Sequence, residues 1–348
     1  MLTSLPLEHW PDADRAAWRS ALKPRCGWRP GGALTRYRPV TVADLRKRYG
    51  YFLQFCFEDG RFDTGSVAAG HITETLVEAY VNRVATMWSP VTTHMSIQKL
   101  WKVARVLWPG KDYAWLREIV LDLKSVAAPR IKRPFVTAEQ LWNVGVALHE
   151  EGRAMFGADD RKAIKLLRDG LIVAFLATYP LRAKNFAHLD LGRSIRKEKG
   201  AWWIILDRDK TKNGRADMRM IDDVLASLLE AYLRLARPPL MKERAAATSA
   251  DPSEIKGPLW LSCFGRALDE ASLRSITTSV TRKALGIAIT PHAFRAAAAN
   301  SAAWKGSNTP NLASAILQHG DTRITDAHYN RARTFEATQA LQKLLREG

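Results

Sequence analysis

The chain has 348 residues, with 53 Lys and Arg against 35 Asp and Glu, for a formal net charge of +18. A hydrophobic content of 47% is enough to build packed cores and excludes a disordered chain, while 21 Gly and 16 Pro exclude a collagenous or low-complexity one. Three widely spaced cysteines, Cys26, Cys56 and Cys263, exclude a disulfide scaffold or a zinc finger and fit a reducing compartment.

The longest apolar run, residues 171–181, is far short of the ~20 residues a membrane span needs. The N-terminus carries Glu8, Asp12 and Asp14 and no apolar signal core. These features predict a soluble cytoplasmic protein with no membrane partner. Its charge is evenly spread: residues 1–134 hold 21 basic against 12 acidic residues and residues 135–348 hold 32 against 23, so each part carries +9. No basic tail accounts for the excess. Distributed positive charge suits a polyanion gripped from two sides, because each phosphate contact releases counterions.

Residues 1–40 are rich in Trp, Pro and Gly and read as an N-terminal extension, with a loop near Gly27–Gly32. Four amphipathic helices follow within 41–131. Thr41 caps the first, whose apolar face holds Leu45, Tyr49, Phe52, Leu53 and Cys56. Thr73 opens the second, carrying Leu76, Val77, Tyr80, Val81, Val84 and Met87 on one face, the third covers 92–108 through Met95, Leu100, Val103 and Leu107, and the fourth 115–126. Residues 126–136 contain two prolines and three basic residues, a charged linker that places a domain boundary near residue 132.

Thr137 and Gln140 form a capping box at the start of the second domain, 132–348. Helices are expected at 137–151 and 161–178. Short strands at 194–197, 202–206 and 218–221 are separated by Lys199-Gly200 and Asn213-Gly214, both turn signals. Helices resume at 222–237, 271–285, 290–305 and 312–318, and a terminal amphipathic helix covers 334–346. The fold class is mainly α, a helical bundle followed by an α+β domain with a small three-stranded antiparallel sheet.

Four segments carry chemistry when taken together. Arg182 ends the corner Tyr179-Pro180-Leu181-Arg182. Lys210 and Lys212 lie on the hairpin tip 209–215. In Thr290-Pro291-His292-Ala293-Phe294-Arg295, Pro291 suits the first helical position, and His292 and Arg295 share a face three residues apart. An imidazole and a guanidinium near a helix N-terminus make an anion site, and the guanidinium fork fits phosphate. The last segment holds Leu317-Gln318-His319 and, further on, Tyr329, the only tyrosine after Tyr232.

The order Arg, hairpin Lys, His-x-x-Arg, His, Tyr resembles that of the tyrosine site-specific recombinases, the phage-integrase family. Tyr179-Pro180-Leu181-Arg182 stands where the family has T-G-L-R, His292-Ala293-Phe294-Arg295 where it has H-x-L-R, and Leu317-Gln318-His319 where it has L-G-H. Three departures stand out. Asn185 replaces an acidic residue, Gln318 replaces a glycine, and ten residues rather than nine separate His319 from Tyr329.

The resemblance implies a SAM-like core-binding domain over 41–131 and a catalytic domain of the DNA breaking-rejoining type over 132–348. It implies Tyr329 as nucleophile, Arg182, Arg295 and His319 on the phosphate, His292 as base or proton relay, and Lys212, or its neighbour Lys210, as general acid. It further implies double-stranded DNA as partner and no cofactor. The terminal helix would be exchanged between protomers of a homo-tetramer, in a bacterial, nucleoid-associated enzyme. A relaxing enzyme of the type IB topoisomerase kind and a DNA-binding regulator with a degenerate site are the alternatives. No Walker A loop and no carboxylate cluster with metal-ligand spacing occurs in the sequence.

Overall fold

The computed structural model describes residues 2–28, 30–60, 71–127, 136–157, 160–208, 216–241 and 255–305, with residues 303–305 described by their backbone alone. Its internal contacts divide the chain into two compact units, Met1–Arg133 and Pro134–Gly348.

The first unit is helical: α1 (Asp12–Ala21), α2 (Pro39–Glu58), α3 (Glu74–Ala85), α4 (Pro90–Leu107) and α5 (Ala114–Val126). Thr73 caps α3, accepting from the Leu76 amide at 3.4 Å. The other expected starts shift. Helix α2 begins at Pro39 with no side-chain cap, so Thr41 sits inside its first turn; proline's fixed φ opens the helix instead. Likewise α4 begins at Pro90, and Ser89 caps it by accepting from the Thr92 amide at 3.3 Å.

The core of this unit is aromatic. Residues 1–40, expected as an extension, contribute Trp10, Trp18 and Leu34 to it, all buried. Trp10 meets Trp18 edge to face at 5.3 Å and Tyr49 at 5.0 Å, the arrangement ring quadrupoles favour. Beside them a buried polar chain runs from Asp14 through Tyr49 to His71. The Tyr49 hydroxyl donates to Asp14 Oδ1 at 2.9 Å, and its oxygen lies 2.8 Å from His71 Nε2.

The second unit opens with the expected capping box. Thr137 Oγ1 accepts from the Gln140 amide at 3.1 Å, and Gln140 Oε1 accepts from the Thr137 amide at 3.0 Å. Helix α6 (Ala138–Met155) packs along α7 (Asp160–Thr178). Glycines at the crossing allow the backbones to touch: a Cβ on Gly145 would lie 2.4 Å from the Ala174 nitrogen, and one on Gly170 2.5 Å from the His149 nitrogen. Helix α7 is buried from Leu167 to Ala177, including the paired charges of Arg168 and Asp169, which makes it the core helix of the unit. No described helix is long and apolar enough to cross a membrane.

Short helix α8 (Ala183–Ala187) leads into a sheet of β1 (Asp190–Leu191), β2 (Ile195–Glu198), β3 (Ala201–Leu206), β4 (Asp217–Met220) and β5 (Gly257–Pro258), in the order β4-β3-β2-β1-β5. The expected three-stranded antiparallel unit is β2-β3-β4, with Ile195 opposite Ile204 and Trp203 opposite Met220. The expectation of three strands is corrected to five among the described residues. The added pair, β1 and β5, has two residues each, and β1 runs parallel to β2. Strands that short carry no alternation to read. The β2–β3 turn follows its sequence, with positive φ at both Lys199 (51°) and Gly200 (83°).

Helix α9 (Asp223–Ala231) starts on an Asp222 cap and continues through a π-helical turn, Tyr232–Ala236, into α10 (Arg237–Leu240). Helices α11 (Glu270–Leu285) and α12 (Pro291–Lys305) complete the described chain. The hairpin tip 209–215 and the helices expected at 312–318 and 334–346 lie outside the described residues.

Candidate active site

The site is built around the corner that follows α7. Pro180 cannot extend the helix, the Leu181 side chain drops into the core, and Arg182 becomes the N-cap residue of α8 with extended backbone (φ −64°, ψ 139°). Its carbonyl accepts from the Phe186 amide at 2.9 Å. The corner is stapled to the end of β4 through Tyr179. The Tyr179 hydroxyl donates to the Met220 carbonyl at 2.8 Å and accepts from the Asp222 amide at 3.1 Å. Burial pushes that phenol's pKa up, which keeps its proton in place as a donor.

Helix α12 reaches the same corner from the other side. Pro291 is its first residue, and the Thr290 carbonyl accepts from the Ala293 amide at 2.7 Å. Phe294 is fully buried with Ala297 and Ala299, which fixes the rotation of the helix about its axis. That rotation leaves His292 exposed in the first turn and sends Arg295 inward to the corner. Arg295, 9% exposed, donates from Nη1 to the Pro180 carbonyl. A guanidinium bound to the residue two before Arg182 holds the two arginines in one neighbourhood.

The electrostatics bear the marks of this crowding. Burial, and after it the positive charges of Arg182 and Arg219, bring the Arg295 pKa down to about 10, with Asp217 acting in the opposite direction. Arg295 therefore stays protonated at neutral pH, at an energetic cost that an incoming anion would relieve.

Arg219 and Asp217 are the residues that sequence reasoning missed. They stand two apart on β4 and therefore share a face. The carboxylate receives Arg219 Nε on Oδ1 at 2.8 Å and Nη2 on Oδ2 at 2.9 Å, a two-pronged ion pair. Asp217 is buried, whereas Met218 and Met220 face outward at 59% and 56% exposure. A strand with its charges inward and its methionines outward reverses the usual alternation. The sequence shows only the alternation Asp217-Met218-Arg219-Met220 and not which face turns inward.

The structure thus brings together Arg182 and Arg295, places His292 one turn before Arg295 on the same helix, and adds Arg219. Three guanidiniums and one carboxylate leave a net charge of +2 on this cluster, and an anion with several acceptor oxygens fits it. Asn185, half-buried, is the third residue of α8. Lys210, Lys212, Gln318, His319 and Tyr329 lie outside the described residues.

No protein-family model and no curated protein matches the chain. Several solved structures are similar to it, among them the three that follow. XerA recombinase aligns over 88% of this chain and 94% of its own, at 18% identity and a TM-score of 0.39. A lambda integrase (75–356) dimer bound to a COC′ core site aligns over 85% and 90%, at 12% identity and a TM-score of 0.49. The Tn1549 transposon integrase (82–397), in complex with circular intermediate DNA, aligns over 88% and 96%, at 13% identity and a TM-score of 0.48.

Proposed function

We propose that the chain is a site-specific DNA recombinase or integrase that breaks and rejoins double-stranded DNA through a 3′-phosphotyrosyl intermediate, without metal or ATP. The observation that carries this reading is the convergence of Arg182 and Arg295 on the Tyr179–Arg182 corner, with His292 on the same helix as Arg295. Those are three of the six residues on which the sequence resemblance rests, and they come from segments more than a hundred residues apart.

In this mechanism the Tyr329 phenol attacks the phosphorus of a DNA phosphodiester, and its proton passes to His292. As the phenol oxygen adds, negative charge builds on the two non-bridging oxygens. Arg182 and Arg295 clamp them, and His319 donates a further hydrogen bond. The bond from phosphorus to the 5′ oxygen breaks, and Lys212, or Lys210 beside it, delivers a proton to that oxygen. The 3′-phosphotyrosyl ester keeps the bond energy, so a 5′ hydroxyl from a second strand reverses every step and no external energy source is needed.

Strand exchange requires two duplexes and four active sites. The terminal segment 334–348, with Phe335, Leu341, Leu344 and Leu345, docks on a neighbouring protomer and holds a tetramer together. A paired-site plasmid assay in chelator and without ATP tests the reading: recombinant product is expected. Relaxation of any supercoiled plasmid without recombinant product would assign the chain to the relaxing class instead.

A further inference from the structure

We infer that Arg219 is a third anion-binding guanidinium of this site and that Asp217 is the positioning residue that holds it there. The inference rests on the proposed reading of the site and names two residues to which that reading gives no role. Three observations lead to it. First, β4 is fixed to the catalytic corner by the Tyr179 hydroxyl, which bonds at Met220 and Asp222, one and three residues beyond Arg219. Second, Asp217 grips Arg219 by both carboxylate oxygens, and that geometry selects one orientation of the guanidinium plane. Third, Asp217 and Arg219 point inward from a strand whose methionines point outward, so their placement gives up apolar burial on that face.

A buried carboxylate also answers a physical problem of the cluster. Three guanidiniums around one corner repel one another, and without a counter-charge the most mobile of them would swing to solvent. The residue three after Arg182 is Asn185, which carries no charge. Asp217 supplies the negative charge from β4, and the Arg295 guanidinium registers it. The Arg219 side chain is 18% exposed and is held through Nε and Nη2 by Asp217.

The signature of a positioning role is a split between rate and affinity. In Asp217→Asn the cluster becomes more positive, so DNA binding stays within about twofold or tightens. Single-turnover cleavage of a nicked substrate at saturating DNA falls ~10- to 100-fold, because the third guanidinium is no longer aimed. Asp217→Glu keeps the charge and restores most of the rate. Arg219→Gln is slowed to a similar degree, and adding Asp217→Asn to it costs little more, because the carboxylate then has nothing left to aim. Wild-type cleavage in Arg219→Gln overturns the inference. So does an Asp217→Asn protein in which rate, affinity and melting temperature fall together. If Asp217→Asn does not fold, Asp217→Glu and Arg219→Gln decide the matter alone.

Binding of inorganic sulfate, followed through the arginine side-chain resonances, separates this inference from the reaction itself. Arg219→Gln should weaken sulfate binding about tenfold and Asp217→Asn should not weaken it. If that holds while the wild-type chain forms no covalent adduct with DNA, the reaction reading fails and the anion site stands. If the adduct forms and Arg219→Gln binds sulfate as the wild type does, the pair fails and the reaction reading stands.

Discussion

Arg295 gives up most of its solvation to donate to the Pro180 carbonyl, and it does so beside two other guanidiniums. Replacing it with lysine keeps a charge but loses the planar fork, and a buried ammonium in this field sheds its proton more readily than arginine does. Arg295→Lys should therefore lower single-turnover cleavage by about 100-fold or more, the scale seen when one transition-state donor is removed, with DNA affinity changed far less. A gel-shift titration run beside the cleavage time course checks both parts.

The buried chain Asp14–Tyr49–His71 makes a different kind of prediction, about stability. Burial raises the Asp14 pKa from 3.8 to about 6, so Asp14 alone makes the fold more stable as pH falls from about 6 toward 4. Burial lowers the His71 pKa from 6.5 to about 4, so His71 alone makes the fold less stable over nearly the same interval. The two contributions oppose each other, and stability from this chain should be nearly flat between pH 4 and 6. Asp14→Asn should unmask His71, with stability lost on acidification below about pH 6.5. His71→Gln should unmask Asp14, with stability gained as pH falls below about 6. Urea unfolding of the full chain at several pH values, followed by tryptophan fluorescence, measures both slopes.

At the scale of elements, the α6–α7 pair is set by glycine. A methyl group on Gly145 would meet the backbone nitrogen of Ala174 at 2.4 Å, and a backbone atom in a core helix cannot step aside. Gly145→Ala should destabilise the unit by about 1–3 kcal/mol, the usual cost of overpacking, and lower the melting temperature. Thr137→Ala removes the capping-box acceptor and should cost about 1 kcal/mol. What the sequence made legible follows from period and chemistry. Long helices such as α7 were readable because three or four turns of apolar spacing leave little ambiguity. Helices α2 and α4 start at Pro39 and Pro90, ahead of the expected starts at 41 and 92, because proline at the first position presets the helical φ. Strands β1 and β5 were invisible at two residues each, held by neighbours distant in the chain. The corner at Arg182 and the face of Arg295 were legible as motifs. Arg219 was not, because the role of β4 depends on the Tyr179 staple, a contact spanning 41 residues.

At the scale of the molecule, the positive charge is spread evenly, +9 on each part, and the proposed reaction uses only a few of these basic residues. If the chain neutralises 6–10 phosphates, DNA affinity should fall by about 10³ to 10⁵ between 50 and 200 mM salt, while Arg295→Lys leaves that slope almost unchanged. Removing residues 334–348 should abolish recombination and preserve single-site binding. The central claim is that Tyr329 becomes joined to DNA. A suicide substrate nicked near the cleavage position, incubated in chelator and resolved in detergent, tests it most directly. A covalent adduct whose peptide map places the nucleotide on Tyr329 is expected, and no adduct from Tyr329→Phe. An adduct that persists in Tyr329→Phe, or a label that maps to another residue, would contradict it.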